Sequence, residues 1–131
     1  MRSEKSAGSQ VVCLVDDDPL ILNSLRYLLA SDGIAACAFD KAETFLAHIE
    51  VHRVALVVLD IWMAGMTGLE VQARLSSMSC QTRIIMITGS GGPDDERIAM
   101  QAGAIAFFKK PFDDDHFLAA VRDALDQARS S

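Results

Sequence analysis

The sequence predicts an α/β domain: a doubly wound parallel sheet of five strands with five helices on its two faces. Three observations predict it. Short apolar runs alternate with amphipathic segments five times along the chain. Several of the runs are continuously apolar, as expected of parallel strands buried on both faces. The segments between them carry recognisable helix starts and stops. With 131 residues, half of them apolar, the chain is large enough for one sizeable core. No boundary, repeat or low-complexity stretch breaks the alternation. Residues 11–128 therefore read as a single domain, between a polar lead (1–10) expected to be disordered and a short tail (129–131).

The elements follow in order. VVCLV (11–15) is the first strand. Asp18 before Pro19 gives an N-cap with proline at the first helical position, and Gly33 closes that helix. Within it Ile21, Leu25, Leu28 and Leu29 form the expected inward stripe, while Leu20, Asn23 and Tyr27 fall on another face. IAACAF (34–39) is the second strand, and Asp40 with Glu43 resembles a capping box for the second helix. VALVVL (54–59) is the third strand, after which Gly68 opens LEVQARLSSM. RIIMIT (83–88) is the fourth. Pro93 then opens a helix whose Asp94, Asp95 and Glu96 complement the positive end of its dipole, and Gly103 ends it. AIAFFK (104–109) is the fifth strand, and Asp113 caps a last helix with an apolar face at Phe117, Leu118, Val121 and Leu125.

Composition narrows the function. The net charge is −6 and the pI about 4.9, which argues against nucleic acid as a direct partner, because phosphate binding needs a basic surface. No apolar run approaches the length of a membrane span. The opening MRSEKSAGSQ has no signal-peptide core, so the expected compartment is the cytoplasm. Cys13, Cys37 and Cys80 form no Cys-x-x-Cys pair and read as small buried hydrophobes in a reducing compartment. His48 and His52 stand at a spacing that can bind metal on a helix, but no third ligand is evident, and a surface helix is the plainer reading. His116, in an acidic first turn, reads as a solvated or salt-bridged residue.

Ligands of doubly wound sheets sit at the carboxyl ends of the strands. There the sequence is unusual. VVCLV runs straight into Asp16, Asp17 and Asp18, although two carboxylates about 4 Å apart repel by roughly 4 kcal/mol near a protein surface. Asp18 can cap a helix. Asp16 and Asp17 are better placed in a cluster with Asp60, which follows the third strand, if the first and third strands are neighbours. Such a cluster suits a hard divalent cation, Mg²⁺ above all, with room for phosphate oxygens. Thr88 ends the fourth strand and Lys110 follows the fifth, and both could contact a phosphoryl group. Taken singly, Lys110 could merely neutralise the aspartates and Thr88 merely end a strand. Their recurrence at successive strand ends is the more specific signal.

"LVDDDP", "VVLDIWMAGMTGLE", "MITGS" and "AFFKKPF", in this order and spacing, resemble the receiver domains of two-component response regulators. The resemblance covers residues 11 to about 128. It implies a flavodoxin-like fold with strand order 2-1-3-4-5. It implies that Asp60 takes a phosphoryl group from a phosphohistidine on a sensor histidine kinase or phosphotransfer protein, and later loses it by slow self-hydrolysis, with no other enzymatic activity. Asp17 matches the direct Mg²⁺ ligand, Asp16 the acid that holds metal-bound water, and Trp62 the residue whose backbone carbonyl binds the metal. Thr88 matches the hydroxyl that moves toward the phosphoryl group, Lys110 rather than Lys109 the motif lysine, and Phe107 the aromatic whose rotamer follows activation. The face bearing Leu20, Asn23 and Tyr27 matches the kinase-docking surface. The surface of the fourth helix, fifth strand and fifth helix matches the one altered by activation. An output domain or protein, and a homodimer on phosphorylation, are compatible with the resemblance.

The chain departs from the family where it has Ala64 in place of a common proline, which predicts a looser loop after Asp60. Trp62, Gly89 and Ser90 are expected to set the access of attacking water. The Lys110–Pro111 bond matches one that is usually cis. Three other readings compete. A haloacid-dehalogenase-type phosphatase would use Asp16 and Asp18 as a D-x-D pair. A flavin module would need a hydroxyl- and glycine-rich loop after the first strand. A degenerate receiver would never be phosphorylated.

Overall fold

The computed structural model describes residues 11–78, 80–89 and 92–130; the expected disordered lead and Ser90 lie outside them. Strands β1 (Val12–Val15), β2 (Ala36–Phe39), β3 (Leu56–Asp60), β4 (Arg83–Thr88) and β5 (Ala106–Lys109) alternate with helices. These are α1 (Pro19–Ser31), α2 (Ala42–Val51), α3 (Gly68–Ser77), α4 (Pro93–Gln101) and α5 (Asp114–Ser130). The sheet order is β2-β1-β3-β4-β5 and every pairing is parallel. β2 lies on one side of β1 and β3 on the other, so the chain changes direction between β1 and β3. That switch point opens a crevice at their carboxyl ends.

Alternation along the strands divides the core in two. Cys13, Val57 and Met86 pack with Phe45, Val71 and Ala99 of α2, α3 and α4. Leu14, Val58 and Ile85 pack with Leu25, Phe117 and Val121 of α1 and α5. Phe45 and Phe117 are fully buried, each stabilising the fold by roughly 2–3 kcal/mol. The central strands β1 and β3 are buried throughout, which is why their sequences carry no polar alternation.

The element ends show both agreement and correction. Asp18 caps α1 by accepting the N–H of Leu20 at 3.0 Å, and Pro19 opens the helix. Gly33, at φ +75°, closes it. Of the expected inward stripe of α1, Leu25 and Leu29 are buried and Ile21 and Leu28 pack against the same cluster, while Leu22, not expected there, is buried with them. Ile21 and Leu28 lie on the flanks of that stripe and are only partly covered. The Asp40–Glu43 capping box does not form. The chain stays extended through Lys41, the actual N-cap, which makes no side-chain cap, so Asp40 stands one residue too far out. The capping box occurs instead on α3, where Thr67 Oγ1 accepts the Glu70 N–H at 3.2 Å and Glu70 Oε1 accepts the Thr67 N–H at 2.8 Å. On α5 Asp113 accepts the His116 N–H at 3.0 Å, as a cap should.

The cysteines divide by strand position. Cys13, on a central strand, is buried, and burial with Cys37 beside it pushes its thiol up to about 12, so it is unreactive as a nucleophile. Cys37 lies on the edge strand and is exposed, and Cys80 is partly buried, which corrects the expectation of three buried hydrophobes. No helix among the described residues is long and apolar enough to cross a membrane.

Candidate functional site

Each acidic residue after β1 has a different job, set by where its side chain leaves the backbone. Asp18 is spent on the cap of α1. Asp16 is buried; its Oδ1 accepts the N–H of Asp18 at 2.9 Å and its Oδ2 accepts from Lys110 Nζ at 3.1 Å. Asp17 is exposed at the rim, where its Oδ2 accepts the N–H of Ala64 at 2.8 Å. Asp60 ends β3, 5% exposed, with Oδ2 at 3.7 Å from Lys110 Nζ. One carboxylate oxygen from each of Asp16, Asp17 and Asp60 lies within 4.8 Å of the others. The predicted three-acid cluster is therefore assembled, with the lysine directly before Pro111 against it. Lys109 is exposed.

The electrostatics of the cluster centre on Asp60. Burial and then the neighbouring Asp16 carboxylate push its carboxyl up from the ordinary 3.8 to about 6, against the opposing pull of Lys110 and the Trp62 backbone N–H. Its Oδ1 is buried without a hydrogen-bond partner. A buried oxygen left unpaired costs about 1–3 kcal/mol, more when charged. A divalent cation fits this donor set, because hard cations take carboxylate oxygens and three carboxylates with one ammonium leave an excess of negative charge. Asp16, Asp17 and Asp60 are the residues that could hold it.

The loop between β3 and α3 is more firmly held than the alanine at 64 suggests. Ile61 and Met63 are buried in the core, and the Ile61 N–H donates to Ile87 O at 3.0 Å. Gly65 turns the chain at φ +84°. Gly68 donates its N–H to Ile61 O at 2.8 Å, and a Cβ there would stand 2.6 Å from the Asp60 carbonyl oxygen. With Thr67 capping α3 and Ala64 bonded to Asp17, the expected looseness is replaced by fixed contacts at both ends.

Thr88 is buried at the end of β4, beside β3, and its carbonyl accepts the Lys110 N–H at 2.7 Å. Phe107 on β5 is in register with Met86, two residues before Thr88, so Phe107 and Thr88 belong to the same face of the sheet. Phe107 is partly buried against the cluster under α2–α4. Trp62 is 51% exposed, with its indole outside the core. The Lys110–Pro111 bond is cis.

Residues 12–122 match the family model of the response regulator receiver domain. The chain belongs to this family. It is 36% identical over 124 residues to the response regulator protein TmoT of Ectopseudomonas mendocina, covering 95% of this chain and 56% of that one. It is 34% identical over 117 residues to the transcriptional regulatory protein FixJ of Bradyrhizobium diazoefficiens, covering 89% and 57%. The chain thus spans about half the length of these curated relatives. A CheY-like receiver domain protein from Methanospirillum hungatei JF-1 superposes with a TM-score of 0.84 at 27% identity, covering 92% of this chain and 97% of that one. The chain is a receiver domain, a phosphoacceptor switch module of two-component signalling.

In this receiver domain the phosphatase reading loses one of its residues. The D-x-D pair of a phosphatase would need Asp18 free, and its carboxylate caps α1. His48, in the last turn of α2, and His52, its C-cap, stack at 4.3 Å, and His52 Nδ1 contacts His48 O at 3.2 Å. Burial, and then His52, lower the His48 pKa, and the pair is surface packing with no third ligand among the described residues. His116 is exposed, with Nδ1 3.8 Å from Asp113 Oδ2, as a solvated residue. Leu20 and Tyr27 are 74% and 79% exposed. The capping box at Thr67 was legible as T-x-x-E in "TGLE", and Leu22 as the residue three before Leu25 and seven before Leu29.

Proposed function

We propose that Asp60 is the phosphoacceptor, taking a phosphoryl group from a phosphohistidine of a sensor kinase or phosphotransfer protein. The single observation that carries this reading is the buried, unpartnered Asp60 Oδ1, set beside a lysine and two other carboxylates. A carboxylate oxygen of Asp60 attacks phosphorus, the O–P bond forms and the N–P bond of the donor breaks. The donor ring leaves as neutral imidazole when its other nitrogen carries a proton.

Phosphoryl transfer has a loose transition state, so positioning and charge stabilisation supply most of the catalysis. Lys110 contributes a fixed positive charge and Thr88 a hydroxyl that can donate to the phosphoryl oxygens. Mg²⁺ held by Asp16, Asp17, Asp60 and the Trp62 carbonyl would offset the charge of the incoming dianion, with Asp16 acting through a bound water. Once the acyl phosphate forms, Thr88 turns toward it and Phe107 follows into the space behind. That shifts the population between two packings of α4, β5 and α5. Trp62 and Gly89 flank the path of attacking water and so tune phosphoryl lifetime.

The partners in this reading are a kinase docked over Leu20, Asn23 and Tyr27, and an output domain or protein reached through the α4–β5–α5 surface. A homodimer on phosphorylation and a cytoplasmic location accord with it. Residues 11–128 form the receiver domain in this reading. The test is direct: incubate the protein with acetyl phosphate or phosphoramidate and Mg²⁺, then weigh it intact. A gain of one phosphoryl mass, absent in Asp60→Asn, is the expected result; equal labelling of that variant would refute the assignment.

A further inference from the structure

The hydrogen bond between Ala64 and Asp17 joins positions 47 residues apart at 2.8 Å. Proline, the residue common in the family at this position, has no N–H to give. We propose that the main-chain N–H of Ala64 is a positioning group for a divalent cation at the acidic cluster, a role that rests on the phosphoacceptor reading of this site. Asp17 is the exposed member of the cluster. An exposed carboxylate samples several rotamers, and a cation that recruits it must order it first.

Ala64 removes part of that cost. Its N–H is carried on a loop fixed by the buried side chains of Ile61 and Met63 on one side and by the capping box of Thr67 and Glu70 on the other. The donor is therefore rigid while its acceptor is not. Holding Oδ2 leaves Oδ1 and the remaining lone pairs of Asp17 available to a cation. Carboxylate ligands of metals are characteristically held in this way by a second group, and losing such a group weakens metal binding by about 10–100-fold.

The experiment uses the whole chain and Mg²⁺ alone, followed by titration calorimetry and by the fluorescence of Trp62, the one tryptophan of the sequence. Ala64→Pro is expected to weaken Mg²⁺ binding about tenfold, and Ala64→Ser, which keeps the N–H, to restore it. In metal-free protein the Ala64 amide resonance is expected to move when Asp17 is changed to Ala, more than the amides of Met63 and Gly65. Wild-type affinity in folded Ala64→Pro would overturn the proposal, as would an Ala64 amide indifferent to Asp17→Ala. Wild-type protein that binds no Mg²⁺ would instead overturn the reading of the site itself.

Discussion

Lys110 Nζ stands 3.1 Å from Oδ2 of Asp16, joining the loop after β5 to the end of β1 across 94 residues of sequence. Asp16 is 1% exposed and the lysine side chain 19%, so the pair is largely removed from water. Breaking a buried pair by deleting one partner is far more costly than losing a surface bridge. Lys110→Ala is expected to destabilise the metal-free protein by about 3 kcal/mol at pH 7.5, read by urea unfolding in chelator. The loss should shrink toward pH 5, where Asp60 takes up a proton and the cluster holds one negative charge fewer. A variant as stable as wild type at pH 7.5 would mean that the lysine is not balancing these acids.

Asp60 gives the pH dependence its sign. Its carboxyl titrates near 6 when folded, against 3.8 ordinarily, because burial and the Asp16 charge disfavour ionisation. The folded state thus binds more protons than the unfolded one between these values. Stability from this group is full below about pH 4, falls as pH rises through 6, and is gone above about pH 7. The size is on the order of 3 kcal/mol. Asp60→Asn is expected to flatten that slope and to raise the stability of metal-free protein at pH 7.5. Unfolding curves in chelator at pH 5, 6 and 7.5 decide it, and a wild-type slope that persists unchanged in the variant would assign the titration elsewhere.

Gly68 is where the fold leaves no space for a side chain. A Cβ would meet the Asp60 carbonyl oxygen at 2.6 Å and the Ile61 Cα at 3.0 Å, both backbone atoms at the carboxyl end of β3. Gly68→Ala must therefore push α3 and β3 apart. The expected cost is about 2–3 kcal/mol of stability. Small misplacements of reacting groups can cost on the order of 10²-fold in rate, so labelling of Asp60 by acetyl phosphate is expected to slow at least tenfold in protein shown to be folded. Wild-type labelling would show that the strand end relaxes without moving the carboxylate.

The fold and the cluster were legible in the sequence because both rest on local rules. Continuous apolar runs marked buried parallel strands, and charge at their ends had nowhere to go but the crevice. What failed depended on a single residue of offset. Asp40 and Thr67 both offered cap signals, but whether the backbone turns at residue 41 or 67 is decided by how each loop leaves its strand. Cys37 reads like Cys13 until the sheet order puts it on an edge. The Ala64–Asp17 bond could not be read at all, since a backbone donor has no residue signature, and the alanine suggested looseness where the structure has an anchor.

Gln72 shows how the site side of the molecule is tied to α4. It is 2% exposed, in the middle of α3, and its Nε2 donates to Ala99 O at 3.0 Å. Ala99 lies in the last turn of α4, where carbonyls lack intrahelical partners, and its oxygen also accepts the Ala104 N–H at 3.0 Å. One bond therefore holds the helix to its neighbour while the other holds its own end. Next to this tie, Ile98, Met100 and Ile105 stand about 40% exposed. Gln72→Leu keeps volume and apolar packing but removes the tie, leaving Ala99 O with the Ala104 N–H alone. The expected loss is about 1 kcal/mol, concentrated in local opening rather than global unfolding. Amide hydrogen exchange in residues 98–102 should quicken roughly five- to tenfold, while β1 and β3 amides follow global stability. Uniform quickening across the sheet would show that Gln72 supports the core as a whole and does not specifically restrain α4.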